Sequence, residues 1–259
     1  MNKRLVYIPI VVVVLLLMYS LISIETSASG YTLKTVFFHK DFSKETNLYS
    51  KSKDFKIPDS SEESENIPIS RKHIIVIDAG HGGNDAGTND NGVIEKEITL
   101  DIALKIDSIL KGDGIQTYMI RTTDKFIDHR DRINSANQLN ASLYLSIHCD
   151  WFKDSSLHGT QILYYPSASL MIGNLKEKEY ASIIQTELIK ALKSTDRGID
   201  DRSELAVLRR ANMPSVLVEL GFISNQADAQ KLQSHDFRQK AAEGFAEGLK
   251  KSLAKIVDK

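Results

Sequence analysis

Short apolar runs alternate with stretches of helical periodicity from about residue 71 to the end of the chain. The first run, Ile74–Asp78, ends in glycine-rich turn residues as a buried strand does, and isoleucines then recur at helical spacing through Glu97–Leu110. Further strands are predicted at Ile115–Ile120, Ala141–Cys149, Gly159–Tyr165, Leu205–Leu208 and Val216–Leu220. Further helices are predicted at Arg130–Leu139, Glu177–Leu192, Ala227–Gln233 and Phe237–Val257. This alternation predicts an α/β domain of three layers, with a mostly parallel central sheet flanked by helices on both faces.

The amino-terminal residues follow a different pattern. Leu5–Ser23 is a nearly unbroken apolar run that follows Lys3 and Arg4. Such a run is long enough to cross a hydrocarbon core of roughly 30 Å, and the basic pair favours a cytoplasmic amino terminus. The small residues Ser27–Gly30 also fit cleavage by a signal peptidase, so an uncleaved anchor and a cleaved signal both stay open. We expect residues 1–29 to be this membrane or signal segment, residues 30–70 to be a polar stalk, and residues 71–259 to be an exported catalytic domain.

Charge and cysteine content narrow the kinds of partner. The 259 residues carry a formal net charge of -1 with acids and bases interspersed, so no basic face for nucleic acid is predicted. The lone Cys149 cannot form an intramolecular disulfide. Because neighbouring residues of a strand point to opposite faces, Cys149 should face away from His148 and into packing.

Two histidines and two glutamates lie at or near the ends of predicted strands. His81 stands in a glycine-rich turn after the first strand, His148 lies near the end of the third, and Glu219 ends an apolar run. Ligands of parallel sheets collect beyond the carboxyl ends of strands. Two imidazoles and one carboxylate leave a fourth tetrahedral position for water, which is typical of catalytic zinc. We predict that His81, Glu95 and His148 bind Zn²⁺ and that Glu219 is the general base.

The two glutamates have structural alternatives. Glu97 suits the first turn of a helix, where the dipole stabilises an acid, whereas Glu95 lies before the helix and nearer the histidine loop. We therefore choose Glu95 as the ligand. A carboxylate such as Glu219 is costly in an apolar run unless it is paired, protonated or close to a metal. The alternative role for Glu219 is a salt bridge to Arg209 or Arg210.

Several segments match a known family in order along about residues 74–253. They are Asp78–Gly83, Glu95–Glu97, Arg121–Asp124, Ser146–Asp150 and Leu208–Asn225. Together they resemble the zinc-dependent N-acetylmuramoyl-L-alanine amidases of amidase type 3. The resemblance places that family's zinc ligands on His81, Glu95 and His148 and its catalytic glutamate on Glu219. A membrane-anchored form without cell-wall-binding repeats is similar to the spore-cortex and germination-specific members.

The resemblance implies hydrolysis of the amide bond between N-acetylmuramic acid and L-alanine in peptidoglycan by a zinc-activated water. The expected partners are peptidoglycan, the membrane through the amino-terminal segment, and an activating or localising protein. The expected location is the outer face of the bacterial cell membrane or the cell wall. A zinc peptidase acting within the stem peptide and a non-catalytic peptidoglycan-binding module are the alternatives. The second is disfavoured because all four site residues are present.

Overall fold

The computed structural model describes residues 73–257, apart from 168 and 169, and the backbone of two earlier segments. These segments are β1 (Ser23–Ser27) and β2 (Gly30–Lys34), which pair antiparallel in a unit separate from the rest of the described chain. The predicted membrane or signal segment and the predicted stalk otherwise lie outside the described residues, so both stay predictions. In the described part of the chain, no helix combines the length and apolar character needed to cross a bilayer.

The α/β domain is built on one central sheet. The strands that follow in chain order are β3 (Ile74–Ala79), β4 (Asn89–Asp90), β5 (Val93–Ile94), β6 (Gln116–Met119), β7 (Leu143–Asp150), β8 (Thr160–Tyr164), β9 (Met171–Ile172), β10 (Leu175–Lys176), β11 (Asp196–Asp201) and β12 (Ser215–Phe222). Six of them form a sheet in the order β11-β8-β12-β7-β3-β6. Only the β8–β12 pairing in this sheet is antiparallel, so the predicted mostly parallel sheet is confirmed. The pairs β4–β5 and β9–β10 are short antiparallel hairpins.

Six helices accompany these strands in the described residues. They are α1 (Glu95–Gly112), α2 (His129–Gln138), α3 (Glu177–Leu192), α4 (Ala206–Arg209), α5 (Gln226–Gln233) and α6 (His235–Val257). Three begin with a side-chain cap: Asp128 accepts from the amide of Arg130 in α2, Asn225 accepts from the amides of Ala227 and Asp228 in α5, and Ser234 accepts from the amide of Phe237 in α6. These caps satisfy main-chain donors that have no partner inside the helix.

The alternation of side chains along the strands creates a core on each face of the sheet. On one face, Ile75, Leu145 and Val218 belong to a large core shared with α1, α3 and α6. On the other face, Tyr144 packs with residues of α2, and Leu217 packs with Leu208 of α4 in a third cluster. The predicted three-layer arrangement is therefore confirmed.

The local structure differs from the predictions at three places. The strand predicted at Leu205–Leu208 is wrong, because Ala206–Arg209 forms the short helix α4. A run of four apolar residues is too short for periodicity to separate strand from helix. Strand β11 was not predicted, because Asp196–Asp201 is polar and lies at the edge of the sheet. Helix α1 begins at Glu95 rather than Glu97.

Candidate active site

The loop after β3 carries His81 in a left-handed backbone conformation, with φ of 61°. Gly82 and Gly83 follow with φ of 129° and 60°, values that glycine adopts at little cost. A Cβ atom at Gly82 would stand 2.3 Å from the carbonyl oxygen of Lys125, so only glycine fits there. The glycine-rich sequence therefore specifies a tight turn at the carboxyl end of β3, which places the imidazole at the edge of the sheet.

Two buried arginines hold the carbonyl groups of this loop. Arg132 donates to the carbonyl oxygens of Ala79 at 2.7 Å and His81 at 2.8 Å. Arg121 donates to the carbonyl oxygens of Ala79 at 2.9 Å and Gly80 at 2.9 Å. Both arginines are buried. The loop is thus anchored from inside the domain, where an unpaired carbonyl would be costly.

Asp78 balances the charge of Arg132. Its Oδ1 lies 2.6 Å from Arg132 Nη1, and its Oδ2 accepts hydrogen bonds from the hydroxyls of Tyr144 and Ser146. Burial and the neighbouring Asp78 carboxylate raise the pKa of Tyr144 well above its ordinary value, so its hydroxyl stays protonated and donates. Sequence reasoning missed this network because its members lie on two strands and a helix that are distant along the chain.

His81, Glu95 and His148 converge on one point, as predicted. Glu95 Oε1 lies 3.0 Å from His81 Nε2 and 3.0 Å from His148 Nδ1. One ligand atom from each residue lies within 4.8 Å of the others. Tetrahedral zinc with bonds of about 2.0–2.1 Å places its ligand atoms roughly 3.3 Å apart, so the donor set and its spacing fit zinc. In the described residues, no other group of three His, Cys, Asp or Glu side chains has such an arrangement.

Further contacts fix the orientation of Glu95. The amide of Cys149 donates to Glu95 Oε1 at 3.0 Å, and the amide of Thr88 donates to Oε2 at 2.9 Å. Burial raises the pKa of Glu95, but hydrogen bonds with His148 and His81 outweigh burial and hold the pKa well below its usual range. Glu95 is therefore ionised in this arrangement, as a metal ligand must be.

Asp85 orients His81 from the other side of the ring. Its Oδ2 lies 2.9 Å from His81 Nδ1, and its Oδ1 accepts from the amide of Gly87 at 3.0 Å. This contact leaves His81 Nε2 facing Glu95, which is the pattern in which a carboxylate fixes the ring of a metal-binding histidine.

Two glycines create the space in which these side chains meet. A Cβ atom at Gly80 would stand 2.5 Å from His148 Cε1. One at Gly87 would stand 2.6 Å from both Glu95 Oε2 and His81 Cδ2, and Gly87 also has φ of 64°. No local sequence pattern marks Gly87 as a site residue, because its role depends on the His81 and Glu95 side chains that pack against it.

Glu219 lies beside the cluster, on the strand next to His148. The two residues are direct partners in the parallel register of β12 and β7. Glu219 Oε2 is buried and has no hydrogen-bond partner. Burial, together with the negative charges of Asp150 and Glu95, raises the pKa of Glu219 well above its ordinary value. The structure thus brings all four predicted site residues together.

The structure does not support the alternative roles for Glu219 and Glu97. The ion pairs of the described residues do not include one between Glu219 and Arg209, whose guanidinium instead donates to the carbonyl oxygen of Ser203 at 2.9 Å. Glu97 is exposed in the first turn of α1, as a dipole-stabilised acid would be. Cys149 is buried in the large core, as predicted, and only its amide contacts Glu95.

A groove of about 290 Å³ opens beside the cluster. Its lining includes His81 and His148, the hydroxyl-bearing Ser146 and the apolar residues Ile127 and Leu217. Helix α4 closes one side, since its first residues also line the groove. The groove lies on the α2 and α4 face of the sheet, so a substrate bound there would reach the two imidazoles.

The chain matches the N-acetylmuramoyl-L-alanine amidase family over residues 75–251. It is 37% identical over 181 residues to the sporulation-specific N-acetylmuramoyl-L-alanine amidase of Bacillus subtilis, an alignment that covers 69% of this chain and 68% of that protein.

Solved structures of amidases also match this chain. The catalytic domain of CwlV, an amidase from Bacillus (Paenibacillus) polymyxa var. colistinus, superposes with a TM-score of 0.65 at 34% identity, covering 70% of this chain and 98% of that one. The CwlD amidase of Clostridioides difficile, solved in complex with the GerS lipoprotein, gives a TM-score of 0.63 at 28% identity over 70% of this chain and 98% of that one. On this family match and these identities, the chain belongs to the N-acetylmuramoyl-L-alanine amidase family.

Proposed function

We propose that this chain hydrolyses the amide between N-acetylmuramic acid and L-alanine in peptidoglycan, with zinc held by His81, Glu95 and His148 and Glu219 as the general base. Membership of the amidase family supports the reaction. The observation that carries the mechanism is the convergence of two imidazole nitrogens on one carboxylate oxygen, each at 3.0 Å, beside a second carboxylate that has no partner for Oε2.

His81, Glu95 and His148 would hold the zinc ion. When bound, the ion would acidify a water molecule and polarise the carbonyl of the scissile amide. Hydrogen bonds fix the orientation of two ligands. Asp85 contacts the His81 ring, and main-chain amides donate to both carboxylate oxygens of Glu95. Fixed ligands of this kind reduce the reorganisation that metal binding and reaction require.

Glu219 is placed to move the proton. It is in register with His148 on the neighbouring strand, and its Oε2 has no hydrogen-bond partner, so this oxygen is available to take a proton from the attacking water. The same proton can then pass to the nitrogen of L-alanine as the amide bond breaks. His148 lies beside Glu219 in the sheet register, which keeps the base on the same edge as the metal ligands.

Digestion of purified muropeptides tests this proposal. The purified chain is stripped of metal with a chelator and assayed before and after one equivalent of zinc is returned. We expect activity only with zinc, and mass spectrometry should find free stem peptide that begins with L-alanine. Cleavage within the stem peptide would support the zinc-peptidase alternative. Binding without cleavage by the zinc-loaded protein would support the non-catalytic module.

We further propose that the enzyme acts outside the cytoplasm on cell-wall or spore peptidoglycan. The apolar run after Lys3 and Arg4 and the similarity to a sporulation-specific amidase support this location. The complex of CwlD with a lipoprotein supports a partner protein of that kind for this chain. Fractionation of cells that express the full chain, with extraction of the membranes by carbonate and then detergent, tests the anchor. Release by carbonate alone would argue against membrane insertion.

A further inference from the structure

The groove beside the His81, Glu95 and His148 cluster borders a second pocket. His129, at the start of α2, and Ala206, at the start of α4, line both the groove and this second pocket of about 460 Å³. The pocket extends between the two helices and includes Ile133 and Arg210 in its lining. The pocket is therefore next to the groove, within the reach of an extended substrate that is bound at the cluster.

The second pocket carries two arginines, Arg130 and Arg210, whose side chains have no hydrogen-bond or ion-pair partner among the residues that the structure describes. Arg130 lies in the first turn of α2, and Arg210 follows the last residue of α4. In the described residues, both contribute only main-chain groups to hydrogen bonds: the Arg130 amide donates to Asp128 Oδ1 at 2.8 Å, and the Arg210 carbonyl accepts from Asn137. Asp128 is the acid in the pocket lining, and its side chain is already used as the cap of α2.

Other arginines around the groove are committed to the fold. Arg121 and Arg132 hold the His81 loop, and Arg209 donates to the main-chain carbonyls of Ser203 and Glu204. Arg130 and Arg210 differ because both are exposed and line the pocket that borders the groove. Two unpaired guanidinium groups in one pocket select an anion, and the planar fork of arginine matches a carboxylate.

We propose that Arg130 and Arg210 bind a carboxylate of the stem peptide and thereby make the enzyme selective for acidic over amidated stems. This inference rests on the proposed function, because it assigns the pocket to the peptide side of the scissile amide. The residue after L-alanine in the stem is a D-glutamate, whose α-carboxylate is free in some peptidoglycans and amidated in others. A carboxamide has no charge and presents two donors of its own to the guanidinium donors. The glycan strand is neutral at the reacting sugar, so it has less to gain from two cations.

The size of the effect follows from exposure. Both arginines are exposed, so each contributes less than a buried charge-assisted pair would. We expect each substitution to lower kcat/KM on the acidic substrate by about threefold to tenfold. The loss should appear mainly in KM, because the carboxylate is remote from the atoms that react and is bound equally in the ground and transition states.

The test uses two synthetic muramyl tripeptides that differ only in a free carboxylate or a carboxamide on the D-glutamate. The zinc-loaded full chain, Arg130→Gln, Arg210→Gln and the double variant are assayed on both. Lys178→Gln is the matched control, because it removes one exposed cation from α3, whose residues do not line either pocket. We expect wild type and the control to prefer the acidic substrate, and the double variant to lose that preference with little change on the amidated one. High salt should reduce the preference of wild type.

A binding assay measures the same selectivity without turnover. Both tripeptides are titrated into the zinc-loaded Glu219→Gln variant and into the same variant combined with Arg130→Gln and Arg210→Gln. The inference is overturned if the wild type shows no preference in turnover and the Glu219→Gln variant shows none in binding. Equal losses on both substrates in the arginine variants also overturn it, because they indicate a general structural effect. If the tripeptides bind selectively but the wild type cleaves neither, the proposed function fails while the carboxylate subsite stands.

Discussion

Replacement of Arg132 by methionine tests how the fold supports the cluster of His81, Glu95 and His148. Arg132 donates to the carbonyl oxygens of Ala79, His81 and Ile127 at 2.7, 2.8 and 2.9 Å, and pairs with Asp78 at 2.6 Å. Methionine has a similar length but no donor. The substitution therefore removes four hydrogen bonds while it preserves most of the packed volume.

The cost follows from burial. Arg132 is 6% exposed and Asp78 is 1% exposed, so the substitution leaves a buried carboxylate without its counter-ion. Removal of one partner of a buried ion pair costs about 3–5 kcal/mol. Tyr144 and Ser146 still donate to Asp78, so we expect a loss of stability at the lower end of this range. We expect the free energy of unfolding to fall by about 3 kcal/mol.

Urea unfolding of the metal-free protein measures this change, and zinc titration gives a second readout. Because the His81 loop loses one of its two arginine anchors, we expect zinc affinity to fall about 10-fold to 100-fold, as for other residues that support metal ligands. Arg130→Met is the matched control. It lies on the same helix but is exposed, so its stability should stay within about 0.5 kcal/mol of wild type.

A double-mutant cycle decides whether the ion pair is the cause. We expect Asp78→Asn and Arg132→Met to be non-additive by about 1 kcal/mol or more, because each variant already breaks the same pair. Additive losses, or an Arg132→Met protein less than about 1 kcal/mol below wild type, would refute the reasoning from the buried pair.

Three further predictions concern the site itself. Glu219→Gln should bind zinc normally but lose about 10²-fold to 10⁴-fold in turnover, and near-wild-type turnover of the zinc-loaded variant would exclude its role as base. Glu95→Ala should lose zinc in a metal-content assay whereas Glu97→Ala should retain it; the opposite result would reassign the ligand. Gly87→Ala should weaken zinc binding, because its Cβ would stand 2.6 Å from atoms of both Glu95 and His81, and an unchanged zinc affinity would show that the loop can yield.

The fold class was predictable because the core strands are apolar and the long helices have a clear period. Helix Glu177–Leu192 has the predicted bounds, and the strand predicted at Val216–Leu220 lies inside β12. The elements that were missed or misassigned are short or polar. Asp196–Asp201 pairs at the sheet edge through its main chain, which needs no apolar side chains, and α4 is one turn that packs through Leu208.

The site was predictable to the extent that its side chains belong to local motifs. His81 and His148 could be recognised because they lie at predicted strand ends, and Glu219 could be recognised because it follows an apolar run. The support of the site was not predictable in this way. Asp78 and Arg132 are 54 positions apart, and no local pattern shows that they meet under the His81 loop. Arg130 and Arg132 have the same residue type on one helix, yet only three-dimensional packing separates the exposed cation from the buried one.

The register of the central strands is the link between the apolar pattern and the chemistry. In β7, Leu145 and Ile147 face the large core together with Cys149, so Ser146 and His148 face the groove. A slip of β7 by one residue would turn Cys149 toward the cluster and bury His148 among apolar side chains, which would leave an imidazole without its partner. The same apolar residues that stabilise the core therefore also fix which face carries the ligand. Because Glu219 of β12 is in register with His148 of β7, the proposed proton acceptor is placed on the same face of the sheet as that ligand.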